Sequence, residues 1–290
     1  MKPAPFDYHR PRSLEEALVT LDRLGTTGTV MAGGQSLVPL MNRREVSPAN
    51  IVDINFLVEL SGITHEDRAV RVGALVRHAE LERDAAVRRR NPLLAEAVPH
   101  IAHAAIRSRG TTVGSLVHAD PTAEMPAVLV ALGGSVELRS AAGGRTVPAT
   151  EFFLGANRCC AAVGELAVAA SFPVPPPRTG TAWLEVARQR GGRAVCGVAA
   201  VVTLDTGRRV ERATATYAGV GATPVLVDLT EVMTGTRFDD LARWRAAADE
   251  GGSALAPADD LHASAGYRRH LARVLAERAG RLAAIRATGA

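Results

Sequence analysis

The sequence predicts an α+β protein of two domains. Helical spacing of apolar residues at both ends of the 290-residue chain, short β-branched runs between them, and a proline-rich interruption, PVPPPRTG at 173–180, indicate this. Beyond the interruption, apolar runs separated by turn residues predict an antiparallel sheet. We therefore expect one domain over 1–176, with subdomains of about 1–56 and 57–176, and a smaller α+β domain over 177–290.

The first predicted helix begins after Ser13, because Ser13 and Glu16 have the spacing of a capping box, and it ends at Gly25. Its apolar face comprises Leu14, Leu18 and Leu21. A strand over 29–32 runs into a pair of glycines. The next segment, 36–41, is apolar, but Pro39 argues against a regular helix there.

The remaining elements follow from similar patterns. Strands are predicted at 50–54, 69–73, 135–139 and 165–172, helices at 78–87 and 94–106, and a polar loop at 107–119. Asp120-Pro121 has the form of an N-cap followed by proline at the first helical position, and Gly133-Gly134 closes that helix.

The second domain is predicted to contain strands at 182–187, 196–204 and 212–220, with a turn at Asp205-Thr206-Gly207. Further helices follow. The last, over 262–287, places one apolar stripe along its length, consisting of Leu271, Val274, Leu275, Leu282 and Ile285.

Composition excludes several classes of function. Aromatic residues make up 4% of the chain and no basic cluster alternates with them, which disfavours a nucleic-acid surface. No apolar run reaches the roughly 20 residues that span a bilayer, and the start, MKPAPFDYHRPRS, lacks the apolar core of a signal peptide, so we expect no membrane insertion and a cytoplasmic protein. Three cysteines, Cys159, Cys160 and Cys196, form no C-x-x-C pair, so no metal site is expected.

Two glycine-containing loops carry the candidate chemistry. In the first, MAGGQSLVPL at 31–40, adjacent glycines let backbone N–H groups converge on an anion such as a pyrophosphate, although an ordinary tight turn has the same pattern. Gln35 and Ser36 add side-chain donors.

The second loop, RGTTVGSLVHADPTAEMP at 109–126, offers hydroxyl and backbone donors ahead of a helix start. Asp120 is either a helix cap or a ligand contact. Glu124 is either a surface acid that offsets the helix dipole or an acceptor for a ribose hydroxyl. Neither loop matches the Rossmann or P-loop signature, so another fold would have to hold a nucleotide.

Several motifs occur in one order along the chain. They are AGGQSLVPLMNRR (32–44), VDIN (52–55), RHAELE (77–82), IRSRGT (106–111), SLVHADPTAEMPA (115–127), FFLG (152–155) and DDLHASAGYRRHLARVL (259–275). On these motifs the chain resembles the FAD-binding medium subunit of the molybdenum hydroxylases, the family of xanthine dehydrogenase and carbon monoxide dehydrogenase. The resemblance extends from Phe6 to the end of the chain.

The resemblance implies a two-subdomain FAD-binding domain of the vanillyl-alcohol-oxidase type, followed by a C-terminal domain of the CO-dehydrogenase flavoprotein type. In such proteins two loops hold the FAD diphosphate, and here they match Thr29, Val30, Met31, Ala32, Gly33, Gly34, Gln35, Ser36 and Leu37, and Thr111, Thr112, Gly114 and Ser115. The resemblance also implies that Ile101 and Ala102 line the nucleotide, that Glu124 meets its ribose or adenine end, and that Leu166 packs near the adenine. Asp120 stays a candidate cofactor contact. His118 falls beside the isoalloxazine, although a lone histidine is more often a structural hydrogen-bonder.

Two departures from the family pattern are expected to matter. Val113 stands where the second loop habitually has glycine, which implies either a backbone conformation that valine resists or a need for room for close approach. Unless the Thr111 and Thr112 hydroxyls compensate, we expect FAD binding weaker by about one to two powers of ten. After the domain boundary, Gly191, Gly192, Arg193 and Ala194 replace the usual G-D-[FY]-A, which affects the flavin-side contacts.

By this resemblance the protein is an oxidoreductase subunit with FAD as its cofactor and no catalytic residue that activates substrate. We expect it to pass electrons from a [2Fe–2S] small subunit to an external acceptor, while a molybdenum-cofactor large subunit oxidises the substrate, in a heterotrimer or a dimer of heterotrimers. Two alternatives stay open from the sequence: a stand-alone FAD-dependent oxidoreductase acting on a small molecule, and an assembly subunit that has lost FAD.

Overall fold

The computed structural model describes residues 2–289, and the predicted α+β class is confirmed. The strands are β1 (Asp7–His9), β2 (Gly28–Met31), β3 (Asn50–Asp53), β4 (Ile63–His65), β5 (Ala69–Gly73), β6 (Ser135–Ser140), β7 (Gly143–Pro148), β8 (Phe153–Gly155), β9 (Arg158–Cys159), β10 (Leu166–Pro173), β11 (Thr179–Ala187), β12 (Ala194–Leu204), β13 (Val210–Ala218) and β14 (Val225–Asp228). The α-helices are α1 (Leu14–Leu24), α2 (Leu37–Arg43), α3 (His78–Arg83), α4 (Ala85–Arg90), α5 (Pro92–Ala97), α6 (Ala104–Arg107), α7 (Thr112–His118), α8 (Glu124–Ala131), α9 (Ala149–Phe152), α10 (Thr230–Met233), α11 (Leu241–Ser253) and α12 (Ala265–Ala287). Within residues 2–289, no helix is both long and apolar enough to cross a membrane.

The chain begins with a parallel three-stranded sheet in the order β1-β3-β2. Helix α1 connects β1 to β2 and buries Leu18 and Leu21 in the core. Its ends confirm the prediction, since the Ser13 hydroxyl accepts a hydrogen bond from the Glu16 N–H at 3.1 Å and Gly25 closes the helix with φ 56°.

The expectation that Pro39 prevents a regular helix was wrong. Pro39 is the third residue of α2, within the first turn, where a backbone N–H has no intrahelical partner in any case. Proline there removes no helical hydrogen bond, so the chain turns directly from the carboxyl end of β2 into a short helix.

The chain then forms a five-stranded sheet in the order β4-β5-β10-β6-β7. The long strand β10 is central and pairs antiparallel with both β5 and β6. It is apolar on both faces and nearly all buried, because helices cover this sheet. Strand β7, rich in glycine and exposed, was not predicted.

Local capping explains where the predicted helices differ from those observed. The single helix expected over 78–87 is divided at Asp84, whose carboxylate accepts hydrogen bonds from the Ala86 and Val87 N–H groups at 2.7 and 3.0 Å and so starts α4. The loop expected over 107–119 contains helix α7, which begins at the N-cap Thr111. Both differences follow from polar side chains that cap a new helix.

The C-terminal sheet confirms the three predicted strands and adds β14, in the antiparallel order β11-β12-β13-β14. The turn after β12 is present, with the Asp205 N–H donating to the Arg209 carbonyl at 2.8 Å. Helix α12 lies across β11 and β12. The predicted leucine-rich stripe was partly wrong, because Ile285 is exposed and the buried face is mostly small: Ala272, Ala276, Ala279, Gly280, Ala283, Ala284 and Ala287.

Candidate functional site

A cleft of about 590 Å³ opens where β2 of the parallel sheet ends. Its walls come from the segment between β2 and α2, from α7 and the start of α8, and from the loop Gly191–Arg193 between β11 and β12. The cleft therefore collects segments from both halves of the sequence. It is of the size that usually holds a small-molecule or cofactor ligand.

The first glycine loop forms one wall and has unused backbone donors. The five consecutive N–H groups from Gly33 to Leu37 have no hydrogen-bond partner among residues 2–289. Gly34 has φ +72°, and a Cβ added to Gly33 would lie 2.2 Å from the carbonyl oxygen of Arg109. Glycine is thus sterically required at Gly33, and the loop presents a run of donors of the kind that binds phosphate oxygens.

The second loop is organised differently, because most of its donors are already used. The Thr112 N–H donates to the Val76 carbonyl at 3.2 Å, the Gly114 N–H to the Thr111 hydroxyl at 3.2 Å, and the Ser115 N–H to the Thr111 carbonyl at 3.0 Å. Thr111 acts as the N-cap of α7. The loop is therefore a capped helix start rather than a flexible strand of free donors.

Val113 does not have the strained backbone that its substitution for glycine predicted. It is the second residue of α7, its φ is not positive, and its side chain is 2% exposed within the core. A right-handed helical conformation suits valine without a steric cost. The premise of weakened binding through strain at Val113 was wrong.

Buried His78 supports this helix start. Its ring nitrogen Nδ1 lies 3.3 Å from the Thr112 hydroxyl, and its backbone N–H donates to the Gly110 carbonyl at 3.0 Å. Burial, with a smaller contribution from the positive charge of Arg107, lowers the pKa of His78 from 6.5 to about 4. His78 is consequently neutral at pH 7 and can accept the hydroxyl hydrogen.

Glu124, the first residue of α8, lines the cleft and is 6% exposed. Burial, followed by the negative charge of Glu185, raises the pKa of Glu124 to about 8. Glu185 itself is held by His100, whose Nδ1 lies 3.2 Å from its carboxylate, and by the Trp183 indole N–H at 3.1 Å. Glu124 is thus mostly protonated at pH 7 and offers a hydroxyl donor as well as an acceptor.

Another part of the cleft brings together His118, Asp120, Asn157 and Arg193. Asp120 is not the helix cap that its position before proline predicted, because α8 begins four residues later. Its Oδ1 accepts hydrogen bonds from the Thr122 N–H and hydroxyl at 2.9 and 2.7 Å, and its Oδ2 lies 3.5 Å from the Arg193 guanidinium. Asn157 donates to the His118 carbonyl at 3.2 Å. Burial lowers the pKa of His118.

The structure brings nearly all of the predicted site residues into this one cleft. Those that line it are Val30, Met31, Ala32, Gly33, Gly34, Gln35, Ser36, Leu37, Ile101, Ala102, Thr111, Gly114, Ser115, His118, Asp120, Glu124 and Leu166. Thr29 lies in β2 opposite Ile51, and Thr112 is fully buried beneath the cleft against His78. Neither of these two lines the wall.

Sequence patterns missed several lining residues that the fold supplies, among them Gly110, Asn157 and His78. Gly110 and His78 meet only because α3 packs beside the second loop. Asn157, with φ 55°, belongs to the αL turn that joins β8 to β9. An asparagine in a polar turn signals αL conformation, but nothing in the sequence places it at a cleft.

Ala102 also has a positive φ, 44°, at the cleft wall. Gly191 packs against it, since a Cβ on Gly191 would lie 2.6 Å from the Ala102 carbonyl oxygen. Within residues 2–289 no group of three or more His, Cys, Asp or Glu side chains is arranged to hold a metal ion. The donors at the cleft are those for an organic anion with hydroxyl groups.

Two family models match nearly the whole chain: residues 4–175 match the FAD binding domain in molybdopterin dehydrogenase, and residues 181–283 match the CO dehydrogenase flavoprotein C-terminal domain. The 6-hydroxypseudooxynicotine dehydrogenase complex subunit alpha of Paenarthrobacter nicotinovorans is 39% identical over 96% of this chain and 94% of its own length. Carbon monoxide dehydrogenase from Hydrogenophaga pseudoflava (34% identity) and quinoline 2-oxidoreductase from Pseudomonas putida 86 (33%) contain chains that superpose with TM-scores of 0.94, each covering 99% of both chains.

Proposed function

Because this chain belongs to the family of FAD-binding medium subunits of the molybdenum hydroxylases, we propose that it binds FAD in the cleft and transfers electrons within such an enzyme complex. The observation that carries the proposal is the run of five N–H groups from Gly33 to Leu37 in the cleft wall, which have no partner in the part of the chain that the structure describes. A diphosphate provides acceptor oxygens and negative charge for such a run.

We assign the individual contacts by the same chemistry. The first loop donates its N–H groups to the diphosphate, and the hydroxyl of Ser115 adds a donor from the opposite side. Glu124 contacts a ribose hydroxyl, and Leu166, with Ile101, packs against the nucleotide. Thr111 and Thr112 shape the second loop, and Thr29 aligns the strand before the first loop, so these three position the site.

The flavin, when bound, supplies the two-electron redox chemistry. The chain's own task is to bind and orient it and to limit the access of water. His118 and Asp120 lie in the polar part of the cleft, where we place the isoalloxazine. We assign substrate oxidation to another subunit, because Thr112, whose hydroxyl pairs with His78, is fully buried beneath the cleft and out of reach of a substrate.

We further propose that the chain assembles with a molybdenum-cofactor large subunit and a [2Fe–2S] small subunit in a heterotrimer. Relatives described as a "medium chain" and as a "complex subunit" cover nearly the full length of this chain, which supports a subunit role over a stand-alone oxidoreductase. We propose the division at residues 176 and 177, with the FAD site built mainly by the first part.

The test is purification of the chain alone and after co-expression with the two partner subunits. We expect about one FAD per chain in both preparations, and iron and molybdenum in the co-expressed complex alone. A visible spectrum without flavin bands after incubation with excess FAD would rule out the FAD site. Elution of the chain alone, separate from co-expressed partners, would rule out the complex.

A further inference from the structure

Arg77 connects the two loops of the cleft. Its Nη1 donates to the carbonyl of Arg109, at the start of the second loop, at 2.7 Å. Its Nη2 donates to the Asn55 side-chain oxygen at 2.7 Å, and the Asn55 amide donates in turn to the carbonyl of Ala32, in the first loop, at 2.7 Å. The Arg77 guanidinium and the Asn55 amide together therefore link the carbonyl groups of two segments 77 residues apart.

The far side of this connection is anchored in the parallel sheet. Asp53, which ends β3 and is 6% exposed, accepts hydrogen bonds from the Asn55 amide at 2.6 Å and from the Asn55 N–H at 3.0 Å. Its second oxygen accepts the Tyr8 hydroxyl hydrogen at 2.6 Å. The Asn55 amide is thereby fixed in orientation, because its nitrogen has two acceptors and its oxygen faces a cation.

The loops also touch directly where Arg77 holds them. The Cα of Gly33 packs so closely on the second loop that an added Cβ would lie 2.2 Å from the Arg109 oxygen and 2.9 Å from the Gly110 Cα. The backbone of Arg77 is fixed as well as its guanidinium, since the backbone N–H of Arg77 donates to the Glu80 carboxylate at 2.7 Å. Neither Arg77 nor Asn55 lines the cleft.

We propose that Arg77, acting through Asn55, is a positioning residue that sets the separation of the two loops before FAD binds. This inference rests on the proposed function. A planar fork that spans two acceptors keeps the loops in their bound arrangement in the free protein, so binding does not incur the entropy of ordering them. Lysine, a single point charge, reaches one acceptor at a time and leaves one loop free.

The experiment compares FAD binding with the stability of the apoprotein in the variants Arg77→Met, Arg77→Lys and Asn55→Ala. Affinity and dissociation rate are followed by flavin fluorescence, and stability by the melting temperature of the full chain without FAD. We expect Arg77→Met and Asn55→Ala to bind FAD about tenfold more weakly, mostly through faster dissociation. Arg77→Lys should restore little of the loss, and the Arg77→Met/Asn55→Ala double variant should lose no more than either single variant.

The matched control is Arg71→Met. Arg71 forms a comparable fork, with two hydrogen bonds to Glu137 at 2.8 and 2.7 Å, on strand β5 and away from the cleft. This variant should lower the melting temperature without changing FAD affinity. Wild-type affinity in Arg77→Met, or a loss of apoprotein stability alone as in Arg71→Met, would overturn the inference. A wild-type chain that binds no FAD would instead overturn the proposed function.

Discussion

The two glycine loops of the cleft have similar compositions but are stabilised in opposite ways. The first leaves the N–H groups from Gly33 to Leu37 without partners among the described residues 2–289, and it depends on its glycines for steric reasons. The second satisfies most of its N–H groups through the Thr111 cap and the Val76 carbonyl, and it accommodates Val113. The first loop therefore leaves N–H donors available to a ligand, whereas internal hydrogen bonds fix the conformation of the second.

This difference means that the same residue type carries different information in the two loops. At Gly33 the absence of a Cβ is what allows the loops to touch. At Val113 a larger side chain fills the core below the helix. A family pattern that has glycine at both positions does not distinguish these two requirements, whereas the backbone conformation does.

The largest effect should come from placing a methyl group where the loops meet. Gly33→Ala puts a Cβ within 2.2 Å of the Arg109 oxygen, and both partners there are backbone atoms that cannot yield independently. We expect FAD affinity to fall by at least about a hundredfold, since the loops must separate. Titration of the apoprotein with FAD measures this. Gly62→Ala, whose Cβ meets nothing within 4 Å, is the control and should bind normally; near-normal binding in Gly33→Ala would contradict the steric argument.

Val113→Gly tests the second loop, where the comparison predicts a stability effect instead. The change removes a buried side chain and places glycine inside a helix, so unfolding should become easier by about 2–3 kcal/mol. FAD affinity should stay the same or decrease. Denaturant unfolding of the apoprotein and FAD titration separate the two quantities. Tighter FAD binding in the variant would show that the second loop does need glycine for close approach.

The second loop should also be the acid-sensitive one, because His78 supports it. The pKa of His78 is about 4 in the folded chain and 6.5 when unfolded, so acid protonates the unfolded chain first. The contribution of neutral His78 to the free energy of unfolding is present above pH 6.5 and is lost as the pH falls toward 4. About 2 kcal/mol of that free energy is lost between pH 7 and 5. Unfolding free energy against pH should have a shallower acid slope in His78→Gln than in the wild type. Equal slopes would assign the acid sensitivity to other groups.

Local signals predicted the fold well and the site only in part. Neighbouring residues determine several features that the sequence therefore predicts: the Ser13 cap, the strands of the C-terminal sheet and the glycine pair. Helix α7 was taken for a loop because its polar, glycine-containing start has the composition of one. The positions of His78, Asn55 and Arg77 depend on how α3 packs beside two distant loops, and no local pattern contains that information.

The smallest effect should come from Arg193, where this chain departs from the aromatic residue of the family pattern. Its side chain is 71% exposed and lies 3.5 Å from Asp120, and exposed ion pairs of this kind contribute about 0–1 kcal/mol. The loop is held instead by its backbone, because Gly191, with φ +70°, packs against the Ala102 carbonyl.

Arg193→Ala should therefore weaken FAD binding by less than about threefold, and added salt should reduce even that difference, since it screens the pair in the wild type. FAD titrations of both proteins at low and high ionic strength measure the effect. Arg193→Tyr, which restores the family residue, should bind at least as tightly as the wild type. A loss greater than about tenfold in Arg193→Ala that persists at high salt would mean that the guanidinium contacts FAD directly, and the cleft would then depend on a third segment besides its two loops.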